Sequence, residues 1–245
     1  MDPINWKTIE AVDPDKFAKA RHQVHSAVQW LARMAISYSG EQDSNLLWNA
    51  ERRVIATRPL SGQLGMELSL PELILQFTEH GVPVRHDFET EGHTQAHVEA
   101  WILVELLHRG VDRDRFSKAL PYDVSGLMTG DVVEFSPEAY PAELEALAGC
   151  YENAGSVMAA AALGKSQIWP QDLALEHTGA AVRAGFSPGL GPSGRPSFYV
   201  TRVADARDLP LQSTLAIEAL PPGQAGAAAA AEFLCRAMVA ARAAS

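Results

Sequence analysis

Two histidines one helical turn apart are the residues of this sequence best placed to do chemistry. His93 and His97 lie in the stretch 93–108, whose apolar pattern predicts a helix. Side chains four positions apart are neighbours on one helix face, so the two imidazoles can bind one metal ion. Glu89 and Glu91 come just before them as candidate carboxylate ligands. The spacing supports one hypothesis, a divalent-metal site in a metal-dependent enzyme.

The same helix also has an interpretation without metal. Trp101, Val104 and His108 are predicted to lie on the same side of the helix as the two histidines. Amphipathic side chains of this kind often lie at the edge of a core, with their polar atoms in water. No glutamate follows His93, so the H-E-x-x-H signature of zinc proteases is absent. The apolar face predicted to lie against the core consists of Ala96, Ala100, Leu103 and Leu107.

Two tryptophans recur at similar places in the chain and suggest a different function. Trp48 and Trp169 each lie in a strand-like segment that follows a long helical stretch. Large aromatic side chains most often anchor a core. Clefts between domains, however, often hold ligands, and an anion in such a cleft would meet Arg52, Arg85 or Arg195. The leading hypothesis is therefore a small-molecule-binding or interaction protein with a cleft between two halves.

The elements that must hold these residues form two similar series. Residues 13–15 and 136–138 each offer a capping side chain, a proline at the first helical position and an acid in the first turn. The chain is interpreted as two α–β–β–β–α halves, 13–110 and 136–245, with a linker at 111–135. Strand runs flanked by helices are typical of α+β proteins with antiparallel sheet. The sequence predicts an internal duplication packed as one globule.

Apolar periodicity and turn residues set the predicted boundaries within each half. Helices are predicted at 13–38, 93–108, 137–163 and 224–243. Strands are predicted at 46–57, 66–70, 73–77, 82–88, 167–177, 197–204 and 212–219. Glycines and prolines make 179–196 a predicted connecting loop.

Composition narrows the classes of protein to consider. A formal net charge of -10 with scattered basic residues argues against nucleic-acid binding. No apolar run is long enough for a membrane span, and the N-terminal residues lack the pattern of a signal peptide, so a cytoplasmic protein is expected. Cys150 and Cys235 fall on apolar helical stretches and are predicted to be buried free thiols.

The last predicted helix gives a third hypothesis. Five consecutive alanines occupy 227–231, and alanine strongly favours a helix. A second copy of the chain packed on 224–243 would make a structural homo-oligomer. The residues of this helix predicted to face the core are Phe233, Leu234, Met238 and Val239.

Several short blocks give the chain a family resemblance. They occur in order, mostly in the second half: Ile168-Trp169, Asp172-Leu173-Ala174, Ala184-Gly185-Phe186-Ser187-Pro188-Gly189 and Pro196-Ser197-Phe198-Tyr199. The sequence resembles a bacterial domain-of-unknown-function family of uncharacterised proteins. The resemblance covers most of the chain from about residue 13, and it implies no activity.

Overall fold

Blocks of helix and strand alternate along the chain. The computed structural model describes residues 6, 11–39, 44–124, 127, 133–190, 194–203 and 213–243. Within this part the α-helices are α1 (Pro14–Tyr38), α2 (Gln95–His108), α3 (Pro141–Ala160) and α4 (Gly223–Ala243). None of these described helices is both long enough and apolar enough to cross a lipid bilayer.

The described strands form two antiparallel sheets, and the predicted α+β class is confirmed. The first sheet contains β1 (Leu47–Asn49), β2 (Val54–Ala56), β3 (Leu64–Ser69), β4 (Ile74–Glu79), β5 (Val82–Pro83) and β6 (Phe88–Glu89). The second contains β7 (Gln167–Trp169), β8 (Ala174–Thr178), β9 (Val182–Ser187), β10 (Ser197–Arg202) and β11 (Ser213–Ala216). Strands next in sequence pair throughout the second sheet and from β1 to β5 in the first, whereas β6 pairs with β4. The short connections explain the antiparallel pairing.

The chain divides into two compact units. The first is Asp13–Glu145, and the second combines Met1–Val12 with Ala146–Ser245. The described part of 111–135, the predicted linker, lies inside the first unit, where the Phe116 ring stacks on Trp30 at 6.3 Å. The predicted internal duplication stays a prediction.

Helix α1 begins where its capping residues predict. The Asp13 carboxylate accepts hydrogen bonds from the backbone N–H groups of Asp15, at 2.9 Å, and Lys16, at 3.1 Å. These two bonds hold the pKa of the Asp13 carboxyl below its usual value, and the bond from Lys16 has the larger effect. The cap satisfies donors that have no partner within the helix.

The matching signal at Ser136 acts differently, and the predicted start of the second long helix is wrong. Pro137–Ala139 forms a separate 3-10 turn, and α3 begins only at Pro141. The Ser136 hydroxyl accepts from the Gln23 amide nitrogen at 3.2 Å, while the Ser136 N–H donates to the Gln23 amide oxygen at 2.9 Å. Gln23 on α1 therefore binds both the hydroxyl and the backbone N–H of Ser136. The serine attaches the turn to α1, and its side chain makes no capping hydrogen bond there.

Two predicted long strands are hairpins. The segments 46–57 and 167–177 contain the pairs β1–β2 and β7–β8, with four-residue turns at 50–53 and 170–173. The last residue of each turn, Arg53 or Leu173, has a left-handed φ of 52° or 58°. Glycine is the residue that most often identifies such a turn in a sequence. Neither turn contains glycine, so the sequence predicts each segment as one continuous strand. The predicted strand 82–88 likewise contains β5 and the first residue of β6, with a bend between them.

The predicted loop 179–196 contains a central strand of the second sheet. β9 lies between β8 and β10, and all six of its residues are buried. A strand buried on both faces lacks the alternation that identifies a half-exposed strand. Gly185 pairs with Glu176 on β8 and Tyr199 on β10. The Tyr199 hydroxyl donates to the Glu176 carboxylate across this glycine.

The apolar core of the second unit lies on the other face of that sheet. Phe186 and Phe198 are fully buried with ring centroids 5.6 Å apart. Trp6 packs edge-on against Phe198 at 5.7 Å and is only 3% exposed. On α4, Leu234 and Met238 are buried as predicted. The predicted core positions Phe233, half-buried, and Val239, 67% exposed, are corrections.

The two cysteines differ in environment, which gives a simple prediction. Burial raises the pKa of the Cys150 thiol to about 12, whereas Cys235 is exposed, contrary to the prediction that both are buried. Because the thiolate is the reactive form, an aromatic disulfide reagent should modify Cys235 and spare Cys150 in the native protein. Absorbance should report one reacting thiol in buffer and both in denaturant. Rapid modification of Cys150 in a Cys235→Ser variant in buffer would contradict the structure.

Candidate metal centre

Helix α2 buries a glutamate among apolar side chains. Val98, Ile102 and Leu106 are fully buried, and Glu105 on the same face is 3% exposed. Leu107, predicted to face the core, is 58% exposed. α2 is apolar on nearly every side, and such a pattern does not identify the buried face. The predicted core face of Ala96, Ala100, Leu103 and Leu107 is therefore wrong, because Ala96 and Ala100 are also exposed and Leu103 is half-buried.

An arginine neutralises one side of the Glu105 carboxylate. Arg109 Nη1 donates to Glu105 Oε2 and, at 3.0 Å, to the Glu105 backbone carbonyl. Arg109 Nε lies 3.2 Å from Glu79 Oε1, and the guanidinium lies 4.9 Å from the centre of the Phe77 ring. These contacts hold the carboxylate in place and leave its other oxygen for further partners.

That other oxygen faces two histidines. Glu105 Oε1 lies 3.8 Å from His86 Nδ1 and 3.8 Å from His108 Nδ1. All three candidate ligand atoms lie within 4.8 Å of one another. The histidine side chains are 67% and 59% exposed, whereas the glutamate side chain is 4% exposed. The site thus has a fixed buried carboxylate and two solvent-facing imidazoles.

Different elements bring the two histidines together. His108 lies three positions after Glu105, in the last turn of α2, so the helix places both side chains on one face. His86 lies between β5 and β6 with a left-handed φ of 73°. Its backbone carbonyl accepts the Trp101 indole N–H at 3.2 Å, which attaches the β5–β6 segment to α2.

The separations suit a transition-metal ion. Ligand atoms about 2.1 Å from a tetrahedral metal are about 3.4 Å from each other. The two nitrogen–oxygen distances of 3.8 Å are a few tenths of an ångström longer. Exposed histidine side chains can rotate by that amount. Two imidazoles and one carboxylate leave a coordination position for water, as in catalytic zinc sites and non-haem iron sites.

The predicted pair His93 and His97 has a different arrangement. Their Nδ1 atoms are 3.4 Å apart, and His97 Nδ1 accepts the backbone N–H of Thr94 at 3.1 Å. His97 thereby helps to cap the start of α2. The His93 ring packs on Phe88 at 4.9 Å. Among the described residues, one group of three candidate ligand side chains lies close enough together to hold a metal ion, and it does not contain His93 or His97.

The two tryptophans are both half-buried and occupy different hairpin positions. Trp169 is the last strand residue before its turn and pairs with Ala174. Trp48 is one position earlier in its hairpin and pairs with Ile55. Successive strand residues point to opposite faces of a sheet. Counted from the turn, the two tryptophans therefore occupy different positions in their hairpins, and the indoles are not equivalent.

The three predicted anion-binding arginines have different environments. Both Nη atoms of Arg52 bind the carboxylate of buried Glu67. Arg195 lies 3.2 Å from Glu218. Arg85 is exposed and precedes His86 in the chain. Arg52 is therefore engaged in an internal ion pair, and Arg85 is adjacent in sequence to His86 of the candidate metal site.

Part of this group is visible in the sequence. Glu105-x-x-His108 has the i, i+3 spacing that places a carboxylate and an imidazole together on a helix. His86 carries no such signal, because its position depends on how the β5–β6 segment folds over α2.

Comparison with known proteins adds no assignment. No family model matches the chain, and no curated protein or solved structure matches it. The resemblance to a bacterial domain-of-unknown-function family stays a prediction.

Proposed function

We propose that this protein binds a divalent transition-metal ion through His86, Glu105 and His108. The observation that carries the proposal is one buried carboxylate oxygen, Glu105 Oε1, lying 3.8 Å from the Nδ1 atoms of both histidines. Two nitrogen ligands favour zinc, iron or another transition metal over magnesium and calcium. A glutamate fixed by Arg109 needs little reorganisation to accept the ion.

The same geometry supports metal-dependent hydrolysis as the reaction class. A metal ion held by three side chains on an exposed edge keeps a position for water. Its charge lowers the pKa of that water and polarises a substrate carbonyl or phosphoryl group. The alternative of a small-molecule cleft between two halves, lined by Trp48 and Trp169, stays a prediction.

Zinc titration of chelator-treated protein tests the proposal. Calorimetry should show one zinc ion per chain, with an affinity that falls on acidification because the ligand nitrogens must be unprotonated. Glu105→Gln and His86→Ala/His108→Ala should each weaken binding by about 100-fold. Circular dichroism should show that each variant is folded before its titration.

The matched control is His93→Ala/His97→Ala, which removes the same number of imidazoles from the neighbouring end of α2. This variant should bind zinc like the unaltered protein. The proposal is wrong if zinc does not bind below about 1 mM. It is also wrong if the His93/His97 variant loses zinc while the His86/His108 variant keeps it, a result that would support the pair predicted from sequence.

A further inference from the structure

The outer face of α2 carries a row of apolar side chains, which we call the α2 strip. Val104 is 48% exposed and Leu107 is 58% exposed. Ala96 and Ala100 are also exposed, and Leu103 is half-buried. At about 100° per residue, the two alanines and two leucines lie within about 60° around the helix. They lie opposite the buried face of α2.

The α2 strip differs from the other exposed apolar surface in the described part of the chain. There, each of the remaining exposed large apolar side chains lies on a different segment, as Val239 does on α4. Isolated apolar side chains are normal on a protein surface, whereas a contiguous group marks an interaction site. No member of the strip is charged, and Glu99 beside it is ion-paired with Lys118 at 3.1 Å. The strip therefore suits an apolar protein surface.

The spacing of the strip favours another helix as the partner. Its alanines and leucines follow one another at intervals of four, three and four residues: Ala96, Ala100, Leu103 and Leu107. Intervals that alternate between three and four residues are those of the a and d positions of a coiled coil. On an exposed helix, they form a seam that a second helix can cover.

The order of side-chain sizes favours α2 of a second copy as that helix. The two alanines occupy the N-terminal half of the strip, and the two leucines occupy the C-terminal half. An antiparallel pair with its two-fold axis between positions 101 and 102 sets Ala96 of one copy opposite Leu107 of the other. The same axis sets Ala100 opposite Leu103. Every layer then joins a small and a large side chain, which fills an interface without voids.

We propose that α2 is the interface of a weak, reversible homodimer in which the α2 strips of two copies pack antiparallel. α2 has 14 residues and is about 21 Å long. Pairing along that length buries on the order of 400 Å² per copy, about half of what a stable complex buries. A dissociation constant of about 10–100 µM is therefore expected. The strip contains none of the three proposed metal ligands, so dimerisation does not depend on a bound ion.

Sedimentation velocity of the full chain tests the proposal, with a chelator present to remove bridging metal ions. Between about 5 and about 500 µM, the mass should rise from the 26.4 kDa of the monomer towards twice that value. Leu107→Glu places a charge in an apolar layer and should weaken dimerisation by at least about 30-fold. Val239→Glu, the matched control at an exposed position of α4, should leave dimerisation unchanged. Circular dichroism should show that each variant is folded.

Exchanging a large and a small side chain tests the antiparallel register. Leu107→Ala opens a gap opposite Ala96, and Ala96→Leu crowds the same layer, so each should weaken dimerisation by about tenfold. The double variant Ala96→Leu/Leu107→Ala again joins one large and one small side chain. It should dimerise within about threefold of the unaltered protein.

Three results would overturn the proposal. One is a chain that remains monomeric at about 500 µM, which would leave the strip to a different partner. Another is a loss of dimer in Val239→Glu as large as that in Leu107→Glu, which would place the contact on α4. The third is a double variant that dimerises more weakly than either single variant, because the layers would then not pair in this register.

Discussion

Gly185→Ala is expected to lower the free energy of unfolding by about 3 kcal/mol or more. A β-carbon at Gly185 would lie 2.3 Å from the Leu175 carbonyl oxygen and 2.9 Å from Glu176 Cα. Both atoms belong to the main chain of β8, so relief requires the strands to separate. The shift would also disturb the Tyr199–Glu176 hydrogen bond that crosses this position. Urea unfolding followed by circular dichroism measures the loss.

The control for this variant is the same substitution on a helix. Gly155 lies inside α3, and no atom of the described chain outside that helix comes within 4 Å of a β-carbon placed there. Gly155→Ala should raise the free energy of unfolding by about 0.5–1 kcal/mol, because glycine is a weak helix former. If both variants changed stability in the same direction, the close approach of β8 and β9 at Gly185 would be wrong.

Arg109→Met should cost about 3–5 kcal/mol, because it leaves the buried carboxylate of Glu105 without its cation. The Glu105 side chain is 4% exposed and that of Arg109 is 13% exposed, so water replaces little of the lost interaction. Methionine fills much of the volume of arginine but loses the contact between the guanidinium and the Phe77 ring, so the measured cost includes that contact. Urea unfolding at neutral pH gives the value.

A double-mutant cycle separates the charge effect from packing. Arg109→Met/Glu105→Gln should be about 2 kcal/mol more stable than Arg109→Met alone, since a neutral amide costs less to bury than an unpaired charge. Zinc should stabilise Arg109→Met more than it stabilises the unaltered protein, because a bound ion returns positive charge to Glu105. Identical stabilities of the single and double variants would show that Glu105 and Arg109 are not coupled.

Periodicity and capping predicted those elements whose signals are local. α1 and α4 have long apolar patterns, and the Asp13 cap needs only the next three residues. The same signal at Ser136 was misleading because Gln23, 113 positions earlier, binds both polar groups of the serine. Local sequence cannot show a competitor at that distance. The missed strand β9 has the same cause, since its burial comes from neighbouring strands.

The candidate metal centre divides in the same way. The spacing Glu105-x-x-His108 is present in the sequence, but the metal site predicted from sequence used the neighbouring imidazoles of His93 and His97. Tertiary packing decides which face of α2 is buried. Glu105 lies on that buried face. The third ligand, His86, requires the Trp101 contact that only the folded unit supplies.

The position of Trp6 has a consequence for the order in which the chain is made and folded. Its partner Phe198 is synthesised after the whole Asp13–Glu145 unit has left the ribosome, because translation proceeds from the N-terminus. Trp6 must therefore remain unpacked through most of synthesis and find its place beside β10 and Gly226 late. The indole can reach its native position only when the second unit is complete. Until then it is a hydrophobic group without its native partners Phe198 and Gly226, which chaperones can bind.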